Sequence, residues 1–191
     1  HPTFYFFNGI ANIKLKKYNA AIESLNTGKE LVFDNPQLLA EFYQYLGDAY
    51  HSIKNHPKSD ESYDNSLSLN PYNPYVLNNY SYYLSIRKEN LDKAENMAIK
   101  ANEQVADNPS FLDTYAWILF LKKEYTKSEV LLKKALEINK EKSGTILEHY
   151  GDVLFHLNKT EEASSYWMKA KEAGNASTLI NDKIEQKKYL E

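Results

Sequence analysis

Apolar residues recur along this chain in steps of three and four, the spacing that keeps them on one side of a helix, and strict apolar-polar alternation of the strand kind is scarce. Glycine and proline number only six each in 191 residues, so few breakers interrupt the pattern and the chain reads as nearly all helix. A longer period lies over the helical one. Small residues stand at Gly9, Gly47, Ser81, Ala116 and Gly151, at intervals of 38, 34, 35 and 35. A second small column follows at Ala21, Ser59, Ala94, Ser128 and Ala163, and a third at Gly28, Ser66, Ala101, Ala135 and Ala170. Small side chains at fixed places in two successive helices let their axes approach, where larger ones would hold them apart. Between the last two columns sit Leu25, Tyr63, Ala98, Leu132 and Trp167, mostly bulky. Polar turns at Lys16-Lys17, Asn55-His56-Pro57, Lys88-Glu89-Asn90, Lys123-Glu124 and Asn158-Lys159 divide each period into a helical pair. The first interval exceeds the usual 34 by four residues, nearly one helical turn, which predicts an extra turn or short loop near residues 33–38.

Composition narrows what such an array can do. With 23 basic and 26 acidic side chains the formal charge is −3, and Arg87 is the single arginine; a nucleic-acid binder would carry a basic footprint, so nucleic acid is not an expected partner. Cysteine is absent, which excludes disulfides, thiolate metal sites and cysteine nucleophiles. No apolar run approaches the length of a membrane span, so direct membrane insertion is not expected. The chain opens at His1 without a methionine, as expected of a piece of a longer or processed protein, and the ends do not assign a compartment.

The period and its columns resemble the tetratricopeptide repeat, a hairpin of two helices in about 34 residues with the pattern W-x2-L-G-x2-Y, A-x3-F, A and a closing P. The second unit carries it best, in Tyr43, Leu46, Gly47, Tyr50, Ser59, Tyr63, Ser66 and Pro71. The fourth and fifth units, with Leu112-Asp113-Thr114-Tyr115-Ala116-Trp117 and Glu148-His149-Tyr150-Gly151-Asp152, resemble a Bacteroidetes-type subgroup of bacterial tetratricopeptide proteins. The resemblance implies an all-α fold, a right-handed superhelical α-solenoid of about five helical hairpins plus a C-terminal capping helix. Its expected units are 1–38, 39–73, 74–108, 109–142 and 143–174, with the cap at 175–191, all in one solenoid domain. Residues 178–191 place Leu179, Ile180 and Ile184 on one side and charges elsewhere, as a solubilising cap should. The first helix is too apolar for a solvated end: Phe4, Tyr5 and Phe7 suggest an upstream repeat, a covering partner or self-association.

Catalytic signatures fail in turn. The six glycines do not cluster, so no phosphate loop or dinucleotide fingerprint exists, and no nucleophile elbow is present. His149 and His156 lack an accompanying ligand spacing, so no metal is expected. No cofactor and no enzymatic activity are expected. Lys122-Lys123, Lys127 and Lys133-Lys134 lie beside Glu124, Glu129 and Glu137 and read as a mixed solvated face.

In the resembled architecture the first helices line a concave surface, and three columns fall on it. They read Phe6, Gln44, Asn78, Asp113, Glu148; then Ile10, Asp48, Tyr82, Trp117, Asp152; then Ile13, His51, Ser85, Phe120, Phe155. Four of these fifteen are acidic, five are aromatic and none is Lys or Arg, where the chain's 23 basic residues in 191 would put about two. Aromatic anchors beside carboxylates favour a peptide or protein segment carrying basic and apolar residues. The candidate binding residues are therefore Gln44, Asp48, His51, Asn78, Tyr82, Asp113, Trp117, Phe120, Glu148, Asp152 and Phe155. Relatives that clamp a chaperone's C-terminal carboxylate use Lys, Asn and Arg on these columns; Phe6, Ile10, Asp48, Asn78 and Tyr82 supply no basic arm, so that clamp is not expected here. The competing expectation is a structural spacer or assembly module that meets partners through its ends.

Overall fold

The computed structural model describes residues 1–140 and 142–191; Glu141, in the fourth expected unit, lies outside the described residues. These residues form eleven helices: α1 (Pro2–Lys14), α2 (Tyr18–Lys29), α3 (Pro36–Ser52), α4 (His56–Leu69), α5 (Pro74–Arg87), α6 (Leu91–Gln104), α7 (Pro109–Leu121), α8 (Tyr125–Asn139), α9 (Gly144–His156), α10 (Thr160–Ala173) and α11 (Ile180–Gln186). No strand occurs among them. The chain divides into two compact units, His1–Tyr83 and Leu84–Glu191. Within the first, α1 pairs with α2 and α3 with α4; within the second, α7 pairs with α8 and α9 with α10.

The helices that open the later hairpins start by one device. Asn35, Asn73 and Asn108 stand before Pro36, Pro74 and Pro109, and their side-chain oxygens accept hydrogen bonds from the Leu38, Val76 and Phe111 amides. Ser143 does the same for the Ile146 amide. Such caps satisfy an otherwise orphaned donor, and proline costs nothing at a position whose N–H has no helical partner. The four extra residues of the first interval become one added turn at the start of α3: Gly47 is the twelfth residue of its helix, whereas Gly9, Ser81, Ala116 and Gly151 are each the eighth of theirs.

Every hairpin turn also closes alike. Lys16, Lys54, Lys88, Lys123 and Asn158 adopt left-handed backbone with φ between 56° and 65°. In each case that residue's own amide donates to the carbonyl three residues earlier and the next amide to the carbonyl five residues earlier, for instance Lys54 to His51 and Asn55 to Tyr50. This double closure satisfies the last helical carbonyls, here without glycine.

The small columns sit where the helices cross. A Cβ at Gly9 would fall 2.5 Å from Leu25, one at Gly47 2.7 Å from the Tyr63 ring, and one at Gly151 2.5 Å from the Trp167 ring. Ser59 and Ser128 of the second column donate across their hairpins to the carbonyls of Gly47 and Ala116, at 2.9 and 2.7 Å. Leu25, Tyr63, Leu132 and Trp167 are fully buried and form the hairpin cores. No helix among the described residues is long and apolar enough to cross a membrane.

The C-terminal element corrects the sequence reading. It is a helix of only seven residues, and one of its charges points inward: Lys183 is 3% exposed. Two carboxylates of α9 draw it in.

Candidate functional site: the inner faces of the first helices

The eleven candidate residues share the predicted columns but differ in accessibility. Tyr82 is exposed; Gln44, Asp48, His51, Asp113, Trp117 and Phe155 are half-buried; Asn78, Phe120, Glu148 and Asp152 are buried. Five of them lie in the first compact unit and six in the second.

In the first unit Asp48 lies one residue beyond Gly47, where the close helix crossing brings the partner helix within reach. The Tyr63 hydroxyl of α4 donates to Asp48 Oδ1. Asn79 of α5 also donates to this carboxylate, while burial pushes the Asp48 carboxyl above its usual range against both hydrogen bonds. Burial and the Asp48 charge together hold the Tyr63 hydroxyl well above its ordinary value. The His51 ring stacks on Tyr83 at 3.6 Å. Gln44 receives a hydrogen bond from Asn73 at 3.3 Å. Asp48 thus has internal partners already.

The second unit gathers more. Asp113 on α7 lies 2.8 Å from His149 Nδ1 on α9, and the His149 ring stacks on Trp117 at 4.2 Å. Burial opposes protonation of His149, but the Asp113 charge and hydrogen bond, with Asp152 and Glu148 behind them, outweigh it and raise its pKa. Trp117 stacks in turn on Phe120 at 4.7 Å. Asp152 stands one residue beyond Gly151, the place Asp48 holds beyond Gly47, and accepts from Trp167 Nε1 at 2.9 Å.

Into this face comes Lys183. Its ammonium donates to Glu148 Oε1 at 2.8 Å and to both Asp152 oxygens, at 2.7 and 2.8 Å. Glu148 also accepts from the Ser177 amide and hydroxyl, each at 2.6 Å. Burial disfavours the Glu148 anion, yet Lys183 and Ser177 outweigh it and lower its pKa. At Asp152 burial wins and pushes the carboxyl up to about 6, with Lys183 opposing. Beyond the lysine, the Tyr189 ring lies 5.5 Å from Phe120 and 4.9 Å from His156. A cavity of about 360 Å³ remains between Trp117, His149, Asp152 and the segment that brings Lys183 and Tyr189.

Asp113, Trp117, Glu148 and Asp152 of the predicted set are therefore brought together, and His149, Lys183, Ser177 and Tyr189 join them. His149 falls two residues before the small column, off the columns chosen for the inner face. Lys183 lies outside the repeat period, so no column pointed to it; its placement at i+3 from Ile180 was the available signal. Away from this face, Lys122 pairs with Asp92 and Glu95, Lys127 with Glu124 and Lys134 with Asp107, so these lysines meet carboxylates of their own surface. Among the described residues no group of three or more His, Asp and Glu side chains is arranged to hold a metal ion.

A hairpin array with small crossing residues, aromatic fillers and polar inner columns defines a helical-repeat protein. Residues 40–73 match the family described as tetratricopeptide repeat, so this chain carries that repeat, at the unit where the sequence pattern is fullest. Solved structures extend the likeness over nearly the whole chain. Pseudomonas aeruginosa PilF superposes with a TM-score of 0.80 at 17% identity, covering 97% of this chain and 83% of that one. PilW, described as a widely conserved type IV pilus biogenesis factor, gives 0.83 at 15% identity over 97% and 85%. A thermophilic tetratricopeptide protein of Thermus thermophilus gives 0.72 at 16% identity over 98% of each. At these identities the likeness shows the fold, the all-α tetratricopeptide solenoid class. No curated protein sequence matches the chain.

Proposed function

We propose that the chain is a non-enzymatic protein-interaction scaffold whose second unit binds a peptide or partner segment carrying basic and apolar residues. The observation behind this reading is the convergence of Trp117, Glu148, His149 and Asp152 on one cavity, with Asp113 held against His149 at 2.8 Å. A concave site with a few convergent polar groups and an aromatic wall has the composition of a binding pocket, and the fold alone does not choose the partner. Carboxylates around the ring favour a cationic side chain and repel acidic tails. Trp117 gives a direct readout, because Trp167, the other tryptophan, is fully buried. Short peptides combining Lys or Arg with Tyr or Phe should shift Trp117 emission, and Asp113→Lys should weaken them by about tenfold. Equal binding of acidic peptides, with no response to the substitution, sinks the proposal.

A second reading, assembly through the ends, has its own support in one column. Phe4 is 68% exposed, whereas Phe42, Val76, Phe111 and Ile146 at the same place in later units are 0 to 4% exposed. Phe42 packs on the unit before it, its ring 5.1 Å from that of Phe6; in α1 the same place is open, with Phe7 beside it at 63%. Under this reading sedimentation of the chain shows self-association that Phe4→Asp with Phe7→Asp abolishes. A monomer at all concentrations removes it.

A further inference from the structure

The segment that reaches the carboxylates of α9 is weakly built. Its helix, α11, has seven residues, too few to persist without support from its neighbours. Ile180 is its one buried apolar side chain, and Ile184 is only partly buried. Exposed polar residues fill most of the remainder: Asn181, Asp182, Glu185, Gln186, Lys187 and Lys188. The anchoring contacts are instead polar and aromatic, Lys183 on Glu148 and Asp152 and Tyr189 on Phe120 and His156. A cavity of about 360 Å³ borders both anchors, so water and incoming groups have room beside the very contacts that hold the segment down.

These anchors have the chemistry expected of a ligand for this face. A cation sits between two acids, and a ring closes over an aromatic wall. We propose that residues 177–189 are an internal ligand of the second unit: Lys183 and Tyr189 occupy the places that a cation and an aromatic ring of a partner segment take, and a partner binds by displacing them. The inference rests on the binding reading above and adds the regulation and the partner's pattern, a Lys or Arg followed at a similar distance by Tyr, Phe or Trp. Removal of Lys183 leaves Glu148 and Asp152 unopposed, so a displacing segment must bring a positive charge. Apparent affinity for that partner is reduced by the fraction of chains in which the segment is in place.

Hydrogen exchange on the unaltered chain tests the idea first. Backbone amides of residues 180–187 should exchange about 100-fold faster than those of α9, as a locally opening element does. Equal protection of the two overturns the proposal, even if Trp117 responds to an added peptide. The second arm uses a synthetic peptide with the sequence of residues 177–189 as the probe. A chain carrying Lys183→Ala and Tyr189→Ala, its helicity checked by circular dichroism, should bind that probe about tenfold more tightly than the parent. Adding Glu148→Gln and Asp152→Asn should abolish the gain. An opened chain that binds no better than the parent overturns the proposal. If it does bind the probe while no external peptide moves Trp117 in either chain, the internal ligand stands and the partner reading falls.

Discussion

Asp48 and Asp152 occupy one position in two copies of the same hairpin, one in each compact unit, and their surroundings diverge at a single point. Each follows the glycine at its helix crossing, and each accepts a hydrogen bond from the aromatic residue that fills the crossing, Tyr63 or Trp167. Each also receives a donor from the helix that comes next. For Asp48 that donor is the neutral amide of Asn79, and for Asp152 it is the ammonium of Lys183. A neutral donor continues a repeat array as ordinary packing. A charged donor on a seven-residue helix creates a contact that another cation can replace. On the proposed binding reading, conversion of a structural position into a binding position needs one residue, provided the element carrying it is weakly held.

The largest test of the shared part of this comparison removes the aromatic filler. Trp167→Ala and Tyr63→Ala each delete a fully buried ring at a glycine crossing, and each should cost about 3 to 5 kcal/mol. Urea unfolding followed by circular dichroism measures both. A cost near zero for either would mean that its crossing does not depend on the ring.

Titration addresses the divergent part. Asp152 is pushed up to about 6 in the folded chain from an ordinary 3.8, so the folded state holds its proton more tightly than the unfolded state does. Its contribution to stability is therefore present below about pH 4 and lost as pH rises toward 6, up to about 3 kcal/mol for this group alone. Asp152→Asn removes that titration while leaving Glu148, whose lowered pKa acts in the opposite direction. The variant should gain on the parent between pH 4 and pH 7 in urea melts. Asp48 is raised too, so Asp48→Asn should gain with the same sign. A variant at Asp152 that loses ground over this range would reverse the argument.

A smaller difference separates the two hydrogen bonds. Tyr63→Phe leaves Asp48 with only a neutral donor, whereas Trp167→Phe leaves Asp152 with Lys183. Loss of the hydrogen bond itself should cost about 2 kcal/mol in the first case and about 1 kcal/mol in the second; Trp167→Phe also shrinks a fully buried ring, a cavity cost that cancels when the same change is made in a Lys183→Ala chain. A Trp167→Phe cost that does not grow when Lys183 is removed would show that the lysine does not compensate, and the contrast between the two positions would lose its basis.

Much of this arrangement is legible in the sequence itself. The three small columns mark the crossings because size alone decides how near two helix axes come, and Gly47 and Gly151 meet the rings the period assigns to them. The four-residue excess became a turn of α3 because four residues nearly complete a turn and keep the faces in phase. Asp113, Trp117, Glu148 and Asp152 fell on the inner columns and do come together. Burial was harder to foresee. Asp152 and Lys183 are 31 residues apart, and periodicity carries no information about an element that leaves the repeat. Lys183 looked like solvated charge because the carboxylates that bury it lie on another helix. Tyr189 was invisible for the same reason: its partners, Phe120 and His156, belong to α7 and α9.

The turns permit the finest comparison, because they predict sameness where the aspartates predict difference. Lys54 in the first unit and Lys123 in the second hold left-handed backbone at φ of 61° and 65°, and each closes its hairpin with the same pair of backward hydrogen bonds. A side chain pays a steric cost there that glycine does not. The turn at Lys123-Glu124 is legible in the sequence as a polar break, but the left-handed backbone of neither lysine is, since glycine is the usual signal. Lys54→Gly and Lys123→Gly should each stabilise the chain by about 1 kcal/mol, because both residues are exposed and only the backbone term changes. Lys123 lies beside Lys122, which pairs with Asp92 and Glu95, so Lys123→Ala serves as the control for lost charge and should not stabilise. Thermal melts of the glycine variants should then rise by similar amounts, and a gain in one unit alone would show that the two hairpins close under different strain.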